Sequence, residues 1–219
     1  IYYDGKLSKN VTFFDKNITF NKVKYNNTII ETSNDEYYNE RLLSLHNYQL
    51  DAVKLLHNEH RSILSLPCGL GKTNICMKIA EEYNINIIIS PLCEHAEQNL
   101  TRFTNYLNVK GLLVDCNGDR NIKDVILFVK KNKKCVISAT YKSCDIIEEL
   151  LTKYECNTFI KKVKIYIDEY HNLNVKNIFD KTNNINKILN GKYSILFISA
   201  TPRIYDIEDK KIDIYEMLY

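Results

Sequence analysis

Six short apolar runs, at residues 63–66, 87–89, 112–114, 136–137, 165–167 and 195–198, recur along the chain with helix-patterned segments between them. A strand that is apolar on nearly every residue needs cover on both faces, and strands joined through helices run parallel. The expected class is therefore α/β, with a mainly parallel sheet covered by helices on both faces. The intervening segments carry the matching period: Leu50, Val53, Lys54 and His57 follow Tyr48, and Cys76, Ile79 and Ala80 follow Lys72-Thr73. With 219 residues and 45% hydrophobic content, such a chain can bury a full core.

Before the first of these runs the pattern differs. Between residues 11 and 32, β-prone stretches (Val11-Thr12-Phe13-Phe14, Ile18-Thr19-Phe20, Val23-Lys24-Tyr25, Thr28-Ile29-Ile30) alternate with Asp-Lys-Asn and Asn-Asn punctuation. Ser33-Asn34-Asp35-Glu36 breaks that pattern and can cap a following helix. We expect a small β-rich N-terminal extension over residues 1–40, ranked first as a shield for a sheet edge, and one main domain over residues 41–219. No internal repeat is visible, and the Lys130-Lys131-Asn132-Lys133-Lys134 run is expected to be a solvated helix end.

Composition narrows the partners. A net charge of +3 permits nucleic-acid binding without indicating a strongly basic coating protein. No run approaches the roughly 18 apolar residues of a membrane span, and Ile1-Tyr2-Tyr3-Asp4-Gly5 lacks a signal-peptide pattern. No membrane partner and an intracellular, cytoplasmic location are expected. The first residue is not Met, so the stretch reads as a piece of a longer protein. Its wealth of Asn, Ile, Lys and Tyr fits an AT-rich genome; in a large DNA virus the corresponding compartment would be a viral factory or virion. Seven cysteines (Cys68, Cys76, Cys93, Cys116, Cys135, Cys144, Cys156) form no Cys-x-x-Cys pair, and with His46, His57, His60 and His95 they show no zinc-ligand spacing. They are expected to be reduced core thiols.

Two segments carry chemistry. Leu66-Pro67-Cys68-Gly69-Leu70-Gly71-Lys72-Thr73 follows an apolar run and opens a helix, the context of a phosphate-binding loop. Gly69 and Gly71 let backbone N–H groups turn toward phosphates, with Cys68 and Leu70 between and beside them. Lys72 can reach the β/γ oxygens and Thr73 can offer its hydroxyl to Mg²⁺. Leu66 stands where the general pattern has its first Gly. The second segment, Ile165-Tyr166-Ile167-Asp168-Glu169-Tyr170-His171, ends an apolar run on two adjacent carboxylates whose repulsion a divalent cation would relieve. Asp168 is the candidate Mg²⁺ ligand, and Glu169 is the candidate general base for an attacking water.

Gly-x-Gly-Lys-Thr at 69–73, Asp-Glu-x-His at 168–171 and Ser199-Ala200-Thr201-Pro202 at the last run end lie in the order found in one family. The chain resembles the DExH branch of superfamily 2 helicases and translocases over residues 41–202, specifically their N-terminal RecA-like motor domain. Pro202-Arg203-Ile204-Tyr205 resembles viral and restriction-type members most closely. The resemblance implies ATP and Mg²⁺ as cofactors, Gln49 as an adenine contact, and Ser90, Pro91, Gln98 and Arg102 as a nucleic-acid backbone motif. It implies a second such motif over Ser138-Ala139-Thr140-Tyr141-Lys142-Ser143, with Thr140 and Ser143 as its contacts, and coupling between hydrolysis and the nucleic-acid path through His171, Ser199 and Thr201. It further implies a second RecA-like domain that closes over ATP and supplies arginines. Seventeen residues follow Pro202, too few for that domain, so this stretch is expected to bind ATP and hydrolyse it slowly, an arginine finger being worth roughly 10³–10⁵ in rate.

The reading is thus an ATP-driven helicase or translocase, with DNA ranked ahead of RNA as its track. The alternative is a non-catalytic nucleic-acid or partner-binding module that keeps the fold. A transport or chaperone ATPase is disfavoured, because there is no Leu-Ser-Gly-Gly-Gln signature and Ser-Ala-Thr-Pro is present. Most of the 16 Tyr are read as strand and surface residues rather than base-stacking groups.

Overall fold

The computed structural model describes residues 44–219 apart from 117, 119, 156–162, 175–178, 202–203, 208–209 and 214–219. The expected β-rich extension and its boundary near residue 40 lie outside the described residues, as do Cys156, Pro202 and Arg203.

All six apolar runs form strands of one sheet: β1 (Arg61–Ser65), β2 (Ile85–Ser90), β3 (Lys110–Val114), β4 (Cys135–Thr140), β5 (Val163–Asp168) and β6 (Ser194–Ser199). Their order is β1-β6-β5-β2-β4-β3 and every pairing is parallel. Helix α1 (Asn47–Leu56) precedes β1, and the strands are joined through helices α2 (Lys72–Ala80), α3 (Cys93–Leu107), α4 (Ile122–Lys131), α5 (Cys144–Glu155) and α6 (Asn184–Leu189). A short antiparallel pair, β7 (Ile204–Ile207) and β8 (Lys210–Asp213), follows the sheet. This is the RecA-like α/β architecture expected. None of the described helices is long and apolar enough to cross a membrane.

The continuous apolar runs make physical sense once the two faces are separated. Because side chains alternate along a strand, Ile87, Ile89, Ile137, Ile165, Ile195 and Phe197 pack on one face against α4, α5 and α6. Ile88, Val136, Tyr166, Leu196 and Ile198 pack on the other face against α1, α2 and α3. Strands β2 and β4 are buried at every residue, as a central parallel strand requires. The buried polar groups of the second face find partners: Tyr166 donates its hydroxyl to Asn86 Oδ1 at 3.2 Å, and Asn86 donates to Ala80 O at 3.2 Å. Of the lysine run, Lys130 and Lys131 are exposed in the last turn of α4, whereas Lys134 lies beyond the helix, half-buried, and donates to Glu81 O at 2.7 Å.

The cysteines divide into two groups. Cys76, Cys135 and Cys144 are core thiols, and burial pushes all three up, Cys135 to about 12, which keeps them protonated and unreactive. Cys68, Cys93 and Cys116 correct the expectation, because they stand at loop and strand ends outside the core.

Lys164 is a buried cation within β5. Its ammonium donates to Ser194 Oγ at 2.8 Å and Glu59 O at 3.1 Å, and lies 5.6 Å from the Tyr83 ring centroid. Burial lowers its pKa from 10.5 to about 8. Between those values the unfolded chain binds more protons than the folded one, so stability rises with pH across that window. Relative to Lys164→Met, wild type should therefore gain up to about 3 kcal/mol between pH 8 and 10.5 in urea denaturation. A stability gap independent of pH would contradict this burial cost.

Candidate functional site

In a parallel sheet the carboxyl ends of all strands point the same way, so residues far apart in sequence meet along one edge. Ser65 pairs with Ser199, Asp168 with Ile198, and Ser90 with Thr140, which aligns the ends of β1, β6, β5, β2 and β4. The loop after β1 turns into α2 through Gly69 (φ 82) and Gly71 (φ 73), both left-handed conformations that suit glycine. Lys72 begins the helix and folds back over this loop, donating to Leu66 O at 2.9 Å and Pro67 O at 3.5 Å. Its ammonium thus sits over the loop's backbone, at the positive end of α2.

Gly71 has a second reason to lack a side chain. A Cβ there would come within 2.3 Å of Gln49 Nε2. Gln49 is buried, donates to Leu70 O at 3.0 Å, and accepts from its own helix start at His46 N at 2.9 Å. Tyr48 donates to the same Leu70 carbonyl at 3.0 Å. Gln49 and Tyr48 therefore hold the glycine-rich loop through the Leu70 carbonyl.

A cleft of about 230 Å³ opens in front of it. Cys68, Gly69, Lys72 and Thr73 form one wall, and Asp168 and Glu169 at the end of β5 form another. The third wall is α3, which contributes His95, Gln98, Asn99 and Arg102. Gln98 and Arg102 are exposed there, in the same cleft as Lys72 rather than on a separate face.

Asn99 escaped the sequence analysis. Its amide donates to Asp168 Oδ2 at 2.9 Å and to Ser90 Oγ at 3.1 Å, tying α3 and the end of β2 to the acidic strand end. The available signal was a polar residue on the buried stripe of α3, between Ala96 and Phe103. Tyr141 falls within the segment expected to be the second backbone motif. Its hydroxyl donates to Asp168 O at 2.6 Å and Glu169 O at 3.2 Å, with burial and the Asp168 charge raising its pKa well above the ordinary range.

That clamp holds an unusual turn. Glu169 has φ 49 and ψ 50, a left-handed conformation that costs a non-glycine residue about 1–2 kcal/mol. It turns the Glu169 side chain into the cleft, with a buried Oε2 that has no hydrogen bond. His171 Nδ1 lies 3.2 Å from that oxygen and 2.8 Å from Ser199 Oγ. The Ser199 hydroxyl donates to Thr201 O at 3.0 Å and accepts from Thr201 N at 3.0 Å. With its single proton so used, Ser199 accepts from His171, which assigns the histidine proton to Nδ1. The structure thus brings His171, Ser199 and Thr201 into one hydrogen-bonded chain.

Three expected nucleic-acid contacts need correction. Ser90, Thr140 and Ser143 are buried, and their hydroxyls bond internally: Ser90 to Asn99, and Thr140 to Ser143 at 3.2 Å. Arg120 donates to Ser143 Oγ at 3.4 Å. These hydroxyls brace the strand ends from inside, and they are not presented to a backbone outside. Pro91 remains half-buried at the start of the loop after β2, and Thr201 is exposed.

A family profile described as DEAD/DEAH box helicase matches residues 46–209, which is 164 of the 219 residues. The chain belongs to the DEAD/DEAH box helicase family. Among solved structures, this helicase-type domain is similar to the Pyrococcus furiosus Hef helicase domain, at 20% identity and a TM-score of 0.57. That match covers 82% of this chain and 37% of that one. It is also similar to a nuclease-deletion mutant of the Type ISP restriction-modification enzyme LlaGI in complex with a DNA substrate mimic. There the identity is 19% and the TM-score 0.55, covering 74% of this chain and 18% of that one. These likenesses are of fold, and the chain spans well under half the length of either neighbour. No curated protein matches the chain.

Proposed function

We propose that this helicase-type domain binds ATP with Mg²⁺ at the cleft of Lys72, Thr73, Asp168 and Glu169, and couples hydrolysis to movement along a nucleic acid, in the manner of a DExH superfamily 2 motor. The observation that carries the proposal is the convergence of a cationic phosphate loop and a carboxylate pair on one cleft. The fit of the absent groups rests on donor chemistry. Glycine-rich backbone and the Lys72 ammonium suit a polyphosphate, and the oxygens of Thr73 and Asp168 suit a hard cation. Bound Mg²⁺ would supply charge neutralisation at the phosphates.

The chain's own residues would do the rest. Lys72 would exchange its bonds to Leu66 O and Pro67 O for phosphate oxygens. Asn99 leaves one Asp168 oxygen turned to a fixed donor and orients the carboxylate. Glu169, aimed by its left-handed turn, would take a proton from the attacking water. His171 lies between Glu169 and Ser199, so a change at the base can reach the Ser199–Thr201 turn through a single side chain. The cleft is smaller than the roughly 300–1,000 Å³ of sites that enclose a ligand, which suits one wall of a site completed by a second RecA-like domain.

DNA is ranked ahead of RNA as the track, and contacts to the backbone rather than to base edges would make movement largely independent of sequence. The test is steady-state phosphate release by this protein with single- and double-stranded DNA and RNA. Stimulation by at least one of these polymers is expected. Turnover indifferent to all four would contradict coupling and leave a nucleotide hydrolase without a track; nucleic-acid binding without turnover would favour the non-catalytic module.

A further inference from the structure

Away from the cleft, at the edge of the sheet, the turn after β3 meets the first residue of α3. Cys93 opens that helix, and Asp115 and Cys116 follow the last residue of β3. The two sulfurs lie 3.5 Å apart, and one ligand atom from each of the three residues falls within 4.8 Å of the others. We propose that Cys93, Asp115 and Cys116 form a metal site for a thiophilic divalent ion, with Zn²⁺ as the natural occupant.

Geometry favours this reading. With Zn–S bonds near 2.3 Å, tetrahedral coordination places two thiolate sulfurs roughly 3.8 Å apart, close to the spacing already present. A disulfide requires about 2.05 Å and hence a substantial closing movement. The carboxylate is held ready: Asp115 is buried, and its Oδ1 accepts from Gly118 N at 2.7 Å. The turn that makes this bond is tight enough that a Cβ on Gly118 would lie 2.3 Å from Leu113 O. Cys116 is exposed and Cys93 half-buried, so an ion can enter from solvent, and water can take the fourth position.

Donor chemistry separates this site from the nucleotide cleft. Two thiolates and one carboxylate select Zn²⁺ over Mg²⁺, whereas the oxygens of Thr73 and Asp168 do the reverse. A bound ion would pin the start of α3 to the end of edge strand β3. Because α3 also carries Gln98, Asn99 and Arg102, the ion would act as a clamp on one wall of the cleft. On binding, each thiol would release its proton to solvent and no electron would be transferred.

Cobalt titration of the anaerobic, reduced protein tests the proposal, since Co²⁺ reports thiolate ligation by a near-ultraviolet charge-transfer band that oxygen ligands do not give. One equivalent should bind and be displaced by Zn²⁺, and Zn²⁺ should raise the thermal midpoint. Cys93→Ser and Cys116→Ser should each diminish the band, and the double variant should abolish it. Asp115→Asn should weaken affinity while keeping both sulfur contacts. Circular dichroism confirms that each variant is folded. No charge-transfer band in folded wild type, or a band that survives in the double variant, would overturn the site. So would a Cys93–Cys116 disulfide that forms in excess Zn²⁺.

Discussion

Glu169→Gln is expected to slow nucleotide turnover by about 10²–10⁴-fold, the range over which a positioned general base contributes, with nucleotide affinity little changed. The substitution keeps the side chain's size and the left-handed turn, and replaces the carboxylate by a neutral amide. Glu169 Oε2 is buried without a hydrogen bond and faces His171 Nδ1 at 3.2 Å. The variant relieves a buried carboxylate and gives up its contact with His171, so folding stability should change by less than about 1 kcal/mol. Phosphate release under saturating nucleotide and nucleic acid measures the first effect, and urea denaturation the second. Wild-type turnover in the variant would remove Glu169 from the chemistry. Wild-type affinity with lost turnover would separate its role from that of Lys72.

The second large effect concerns the sheet that aligns the site. Leu112, Ile137, Ile87, Ile165 and Ile195 stand in register across five strands, with Ile165 on β5 fully buried in the core facing α4, α5 and α6. Ile165→Ala deletes buried methyl and methylene groups in the strand that delivers Asp168, and should destabilise the domain by about 2–5 kcal/mol. Leu127→Ala, on the exposed face of α4 at 61% relative exposure, should change stability by less than about 0.5 kcal/mol. Chemical denaturation of both variants checks the contrast. Comparable midpoints would mean that the core is not divided as described.

The strands were legible because a two-sided sheet demands unbroken apolar runs, and each of the six runs became a strand. The motif loops were legible for a related reason. Glycines with positive φ at 69 and 71 and adjacent carboxylates at 168–169 are local signals that need no knowledge of pairing. What pairing creates was not legible. Asn99 reaches Asp168 across 69 residues, and only the neighbouring positions of β2 and β5 bring α3 over that strand end. The same limit explains the misplaced hydroxyls. Ser90, Thr140 and Ser143 stand in motif-like segments, but burial at the strand ends turned them inward. The meeting of Cys93 and Cys116 was hidden for the same reason: they are 23 residues apart in sequence and adjacent in space.

Gln49 illustrates a finer point. Sequence resemblance implies an adenine contact for Gln49, and in the structure both ends of its amide are engaged by Leu70 O and His46 N. An adenine contact from Gln49 would require one of these bonds to be exchanged. The left-handed Glu169 was likewise invisible in sequence, because nothing in Asp-Glu-Tyr-His indicates a positive φ. Its stabilisation by Tyr141 is a tertiary effect, with the hydroxyl reaching two consecutive carbonyls.

The most direct measurement is titration of the protein with a fluorescent ATP analogue and Mg²⁺, wild type against Lys72→Ala. Charge-assisted hydrogen bonds contribute about 1.5–3 kcal/mol each, so loss of the ammonium should weaken binding by about 10–100-fold. Saturable binding by wild type, weakened to that extent in a folded Lys72→Ala variant, is the predicted result. Equal affinity in the two proteins, or no binding by folded wild type, would contradict the assignment of this cleft to nucleotide.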